Sequence, residues 1–178
     1  TSWKDSRGKD IFLIDDEKLR GAYGTVIGQI AQSHWWYCED LPREFPIVLG
    51  ALSSFPESWT VDPLKLACIV RIADAMHIDD RRAPSLLNAI RKKSKSSELH
   101  WLFQEKLYKP RIENNRVIYT SKSAFGLDEI DAWWLCYDTL KMIDAELKNV
   151  DALLTEHRRE AFGVIGVYGI DSLEQIRK

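Results

Sequence analysis

Arg71, Asp74 and His77 stand at steps of three in the run Leu66-Ala67-Cys68-Ile69-Val70-Arg71-Ile72-Ala73-Asp74-Ala75-Met76-His77-Ile78-Asp79. Successive steps of three rotate by about 60° around a helix, so these side chains form one narrow polar stripe. The rest of the rod is apolar almost all the way round, which predicts a helix buried on every side. A carboxylate in such a place costs on the order of several kcal/mol unless it is paired or bound to a metal. Two arrangements meet that demand. Asp74 accepts from Arg71 one turn back while His77 caps the helix end, or Asp74 is a metal ligand at the bottom of a cleft with Arg71 or His77 beside it.

His34 is the second candidate. Leu19, Ala22, Tyr23, Val26, Ile27, Ile30 and Ala31 follow the i, i+3, i+4 rule and predict a helix from about Asp16 to His34. Asp15 or Asp16 caps its start. One more step of the same stripe lands on His34, at the helix end beside Trp35 and Trp36. A lone histidine on an apolar face is more often a satisfied core residue than a ligand. Imidazole together with carboxylate suits first-row divalent metals, which acidify bound water into a nucleophile for phosphate esters.

The elements that must position these residues read as follows. Residues 41–60 carry Pro42, Pro46 and Pro56 and predict a loop with a short turn or helix around Ile47 to Leu52. Asp62-Pro63 opens the apolar helix as cap and first-turn proline. Asp79-Asp80-Arg81-Arg82 leads to Pro84, which starts a helix through about Lys93, and Ser97 to Leu107 is a further short helix. Arg111 to Tyr119 alternates around Asn114-Asn115, the pattern of a single hairpin. From near Asp128 toward Arg159, Cys136, Leu140, Ile143, Leu147, Val150 and Leu154 recur at steps of four and three. That seam predicts an intramolecular helix pair in preference to a dimer contact. Gly163 to Gly169 reads as a flexible exit before a short closing helix. The predicted fold is mainly α-helical, one domain made of a helical bundle with one hairpin and a long C-terminal helix.

The 178 residues suit a single sizeable core, and seven tryptophans favour a packed globule over a disordered tail. A formal charge of -2 gives no global pull toward nucleic acid. Cys38, Cys68 and Cys136 are odd in number and far apart, with no Cys-x-x-Cys pair, which argues against structural zinc and for a reduced, cytoplasmic setting. No apolar run reaches membrane-spanning length, and Thr1 with the run that follows reads as the interior of a longer protein.

Arg81 and Arg82 could bind a substrate phosphate as paired guanidiniums, or pair with Asp79 and Asp80 at a solvated helix start. Arg91-Lys92-Lys93-Ser94-Lys95 beside His100 and Trp101 reads as a cationic helix end rather than a nucleic-acid surface. Gly-x-Ser-x-Gly and P-loop motifs are both missing.

Val70-Arg71-Ile72-Ala73-Asp74-Ala75-Met76 resembles the closing L-R-x-A-D-x-L helix of HD-type phosphohydrolases. The resemblance implies a metal site on a helical bundle, built from a histidine, a His-Asp dipeptide and a final aspartate, here Asp74. Ile27 to His34 resembles the helix that carries a further histidine upstream. The chain departs from the pattern, since it has no His-Asp dipeptide and no histidine before His34.

Ile72 to Asp79, then Arg81-Arg82-Ala83-Pro84, His100-Trp101 and Ala132-Trp133-Trp134 resemble, in that order, the HD-CE subgroup of bacterial proteins. In that subgroup the HD-like region precedes a GHKL-type ATP-binding domain. The resemblance implies His34 and Asp74 as metal-proximal catalytic residues for manganese, magnesium or iron in the full-length protein. It also implies Arg71, His77, Arg81 and Arg82 toward a phosphoester such as a nucleotide. The expected function is part of a metal-dependent phosphohydrolase module, with the isolated fragment inactive. The alternative is a non-catalytic regulatory domain coupled to the ATP-binding partner.

Overall fold

The computed structural model describes residues 2–82 and 95–169, and the fold is mainly α-helical. The elements in order are β1 (Ser2–Lys4), β2 (Asp10–Phe12), α1 (Glu17–Gln32), α2 (Leu41–Glu44), β3 (Leu49–Gly50), β4 (Thr60–Val61) and α3 (Pro63–Met76). There follow α4 (Lys95–Lys106), β5 (Arg111–Glu113), β6 (Arg116–Ile118), α5 (Ile130–Glu156) and β7 (Gly166–Tyr168). Contacts divide the chain into two compact units, Thr1–Arg71 and Ile72–Lys178, with the division inside α3. The helix expected from Pro84 to Lys93 and the closing helix after Gly169 lie outside the described residues, as does most of the Arg91–Lys95 cluster.

In the first unit, Asp16 caps α1 by accepting from the Leu19 amide at 2.8 Å. Leu19, Tyr23, Val26, Ile30 and Ser33 turn inward, whereas Ala22, Ile27 and Ala31 are exposed, so the apolar stripe is wider than the face it buries. The helix stops at Gln32, and a 3₁₀ turn over Ser33–Trp35 tightens its end. The short helix of the proline-rich stretch sits at Leu41–Glu44, with Pro42 in its first turn, not at 47–52. Leu49–Gly50 there pairs antiparallel with Thr60–Val61, and β1 pairs with β2 in the same way, two hairpins beyond the one expected.

Asp62 opens α3 as expected, its carboxylate 3.3 Å from the Lys65 amide and its carbonyl accepting from Leu66. The helix buries Leu64, Ala67, Cys68 and Ile72. Leu66, Ile69, Ala73 and Asp74 are exposed, so burial on every side is corrected to burial on one face. Apolar composition states what a helix can bury; a neighbour must also be present to cover it.

The second unit is organised by α5, whose buried residues are Ala132, Trp133, Cys136, Leu140, Ile143, Leu147, Val150 and Leu154. The seam read from spacing is the core. Burying each large aliphatic residue there contributes about 1.5–3 kcal/mol. Trp133 is buried and Trp134 half exposed, edge to face at 4.6 Å. The hairpin β5–β6 turns on Asn114 and Asn115, both at positive φ (48° and 59°), the left-handed pair that a two-residue hairpin requires. Residues 166–168, read as a flexible exit, instead form β7 and pair parallel with β6, giving a sheet of order β5-β6-β7. Two carboxylates of α5 fasten this return. Asp151 accepts from the amides of Phe162, Gly163 and Val164, and Asp144 from that of Val167 at 2.8 Å.

Candidate functional site

The C-terminal end of α3 is built from its own loose carbonyls. A helix leaves its last carbonyls without partners, and a guanidinium can satisfy several at once. Arg82 does this, its Nη1 lying 3.3 Å from the Asp74 carbonyl and 3.2 Å from that of His77. The same nitrogen stands 3.5 Å from the Asp74 carboxylate, whose side chain is 52% exposed. The Tyr119 hydroxyl donates to the Met76 carbonyl at 2.8 Å, and burial pushes its phenol well above the usual range.

Directly after the helix, Asp79 is wholly buried. Arg81 closes on it with Nε at 2.7 Å and Nη2 at 2.5 Å, and the Arg81 amide adds a bond of 3.1 Å. That grip holds the Asp79 carboxyl below the usual carboxylate range, against the opposing effect of burial. Lys122 takes the neighbouring Asp80 at 2.5 Å.

Beside the α3 end lies a groove of about 510 Å³. Asp74, Ile78 and Arg82 line one side, His100, Trp101 and Gln104 of α4 another, and Thr139 and Met142 of α5 close it. One groove thus offers a carboxylate, a guanidinium, an imidazole, a carboxamide, a hydroxyl and an indole. The Thr139 hydroxyl donates to the Leu135 carbonyl at 2.7 Å, which leaves its oxygen to accept. The His100 ring leans on Phe103 at 5.5 Å. Guanidinium and imidazolium are donors for phosphate oxygens, and an indole face is a surface for a planar base.

The structure places the expected residues as follows. Asp74 and Arg82 share the groove. Arg81 is engaged with Asp79, and His77 is exposed; neither is among the residues that line the groove. Asp74 meets Arg82 rather than sitting in a fully buried stripe. Arg71, in the first unit, reaches the His34 and Trp36 carbonyls at 3.4 and 2.5 Å. His34, also in the first unit, is half buried with its ring 4.9 Å from Trp35. Its Nδ1 lies 2.7 Å from the Ala31 carbonyl and donates to it.

Sequence reading passed over His100, Gln104 and Thr139 as groove residues, and Asp79 as a buried charge. His100 could have been found from its pairing with Trp101 on a predicted helix. Asp79 could not, because Asp79-Asp80-Arg81-Arg82 looks like any solvated charge run.

A resident divalent metal needs three protein donors in most catalytic sites. Among the described residues no group of three or more His, Cys, Asp or Glu could hold one. The groove itself supplies two such residues, Asp74 and His100. The described donor set does not fit the metal implied by the resemblance.

The family model for HD-CE matches residues 1–149, and the chain belongs to the HD-CE family. No curated protein and no solved structure matches the chain.

Proposed function

We propose that this HD-CE chain binds a phosphoester, such as a nucleotide, in the groove between the α3 end, α4 and α5. The observation that carries the reading is the convergence of Asp74 and Arg82 from the α3 end with His100 and Trp101 from α4 on one groove. Arg82 and His100 would donate to phosphate oxygens, Trp101 would face the base, and Gln104 and Thr139 would bond polar edges. Asp74, at 3.5 Å from Arg82, orients that guanidinium in the free protein and yields it to the stronger anion on binding.

Hydrolysis of the phosphoester is the finer reading that HD-type membership suggests. It requires donors beyond the two in the groove, so no hydrolytic step is assigned to these residues. The second reading is regulatory, with the domain reporting its bound state to a GHKL-type ATP-binding domain in the parent protein. One observation favours it. Arg82, the residue offered to phosphate, is also the cap of the α3 end, so a ligand that draws it away loosens a helix terminus.

The test is a nucleotide panel read by thermal shift and by calorimetry on the chain and on Arg82→Ala and His100→Ala. Binding by the parent sequence that falls at least about tenfold in each variant supports the groove. Binding that survives both changes, or no binding to any nucleotide, overturns it. Among the described residues no helix is long and apolar enough to cross a membrane, and a cytoplasmic location is part of this proposal.

A further inference from the structure

In the first unit the chain turns sharply after α1. Ser33–Trp35 makes one 3₁₀ turn, Trp36 leaves it in extended backbone, and a second 3₁₀ turn at Cys38–Asp40 runs into α2. The result gathers three consecutive aromatic residues, Trp35, Trp36 and Tyr37, around a cavity of about 430 Å³. Its other lining residues are Asp40, Arg43 and Glu44.

Two features set this cavity apart from a core fragment. Trp35 is 82% exposed and Tyr37 74%, although both are large aromatic residues that cores normally absorb. One part of its wall, Trp36, is also held in place before any ligand arrives. Trp36 stacks on Phe45 at 5.9 Å, and its carbonyl receives the 2.5 Å bond from Arg71. A ring fixed in advance loses little freedom on binding.

Aromatic faces carry the negative end of the ring quadrupole and attract cations. Asp40 and Glu44 add full negative charge at the same cavity. Arg43 bridges them at 3.2 and 3.1 Å with 73% of its side chain in water, an ion pair of the weak, exposed kind, and one net negative charge remains at the cavity. A hard, strongly hydrated ion gains little from rings, a neutral ligand without donors gains nothing from the carboxylates, and an anion is repelled by them. We propose that the Trp35–Tyr37 cavity binds an organic cation of the quaternary-ammonium class, with methyl groups on the rings and charge beside Asp40 and Glu44. This site is independent of the groove on the second unit.

The experiment titrates the full chain, labelled at the tryptophan indoles, with tetramethylammonium chloride against sodium chloride at matched ionic strength. The Trp35 and Trp36 indole N–H resonances, assigned with Trp35→Phe and Trp36→Phe, are expected to move saturably with the organic cation and to stay in place with sodium. Tyr37→Ala, and separately the Asp40→Asn, Glu44→Gln double variant, are expected to weaken binding about fivefold or more. Circular dichroism checks that these exposed substitutions leave the fold intact. Equal movement with sodium, no saturation, or unchanged binding in both variants overturns the proposal.

Discussion

Asp79 and Arg81, two residues apart, form a forked pair in which the carboxylate is wholly buried and the guanidinium keeps about half its surface in water. Asp79→Asn is expected to destabilise the chain by about 2 kcal/mol, between the worth of an exposed pair and that of a fully buried one. Arg81 holds the folded carboxyl below its usual range, so the folded state resists protonation more than the unfolded one. The pair's contribution is complete above the ordinary carboxylate range and is lost as pH falls through the lowered folded value. Urea unfolding of both proteins should show the full gap at neutral pH and a closing gap below about pH 4.

Asp74 behaves differently, since half its side chain is in solvent and its cation is Arg82 at 3.5 Å. Asp74→Asn is expected to cost less than about 1 kcal/mol of unfolding free energy, with an unchanged denaturant slope. A loss near 3 kcal/mol would mark Asp74 as a buried structural partner and remove it from the groove.

Asn114 and Asn115 both occupy left-handed backbone. Asn115→Gly should be neutral or mildly stabilising, whereas Asn115→Val should cost about 1–2 kcal/mol, because a branched side chain is strained there. Thermal unfolding of the pair distinguishes turn conformation from side-chain contacts.

Asp151 holds three consecutive backbone amides, those of Phe162, Gly163 and Val164. Asp151→Ala is expected to raise hydrogen exchange at these amides far more than at the buried seam of α5, a local opening rather than a global one. Uniformly faster exchange throughout α5 would show that the contact supports the whole unit.

Burial pushes the Cys136 thiol up to about 12, and Cys68 is buried as well, while Cys38 is partly exposed. A thiol reagent at pH 8 should therefore modify Cys38 first and reach the other two only on unfolding. Rapid native labelling of Cys136 would mean that α5 opens without global unfolding.

The sequence makes local relationships readable and leaves distant ones hidden. Spacing along α5 identified the seam from Cys136 to Leu154 because one helix face decides it. The Asp62-Pro63 start and the Asn114-Asn115 turn were equally local. The β6–β7 pair was not, since nothing in Gly166-Val167-Tyr168 states that its partner lies 50 residues earlier. At the site, Asp74 and Arg82 were visible as residue types. Their joining with His100 and Thr139 depends on how α4 and α5 pack, which periodicity does not encode.

The parallel pairing of 116–118 with 166–168 has a consequence for how this chain can be cut and made. Its connection runs through all of α5, so sheet and helix lock each other only once the last strand has been synthesised. The family match ends at residue 149, inside that helix. A protein truncated there would lose Val150, Leu154, the Asp151 amide clasp and β7 together, and would leave β6 with a bare edge open to foreign strands. The boundary drawn by sequence kinship stops some two helical turns and a strand short of these contacts, and recombinant versions should extend at least through Gly169.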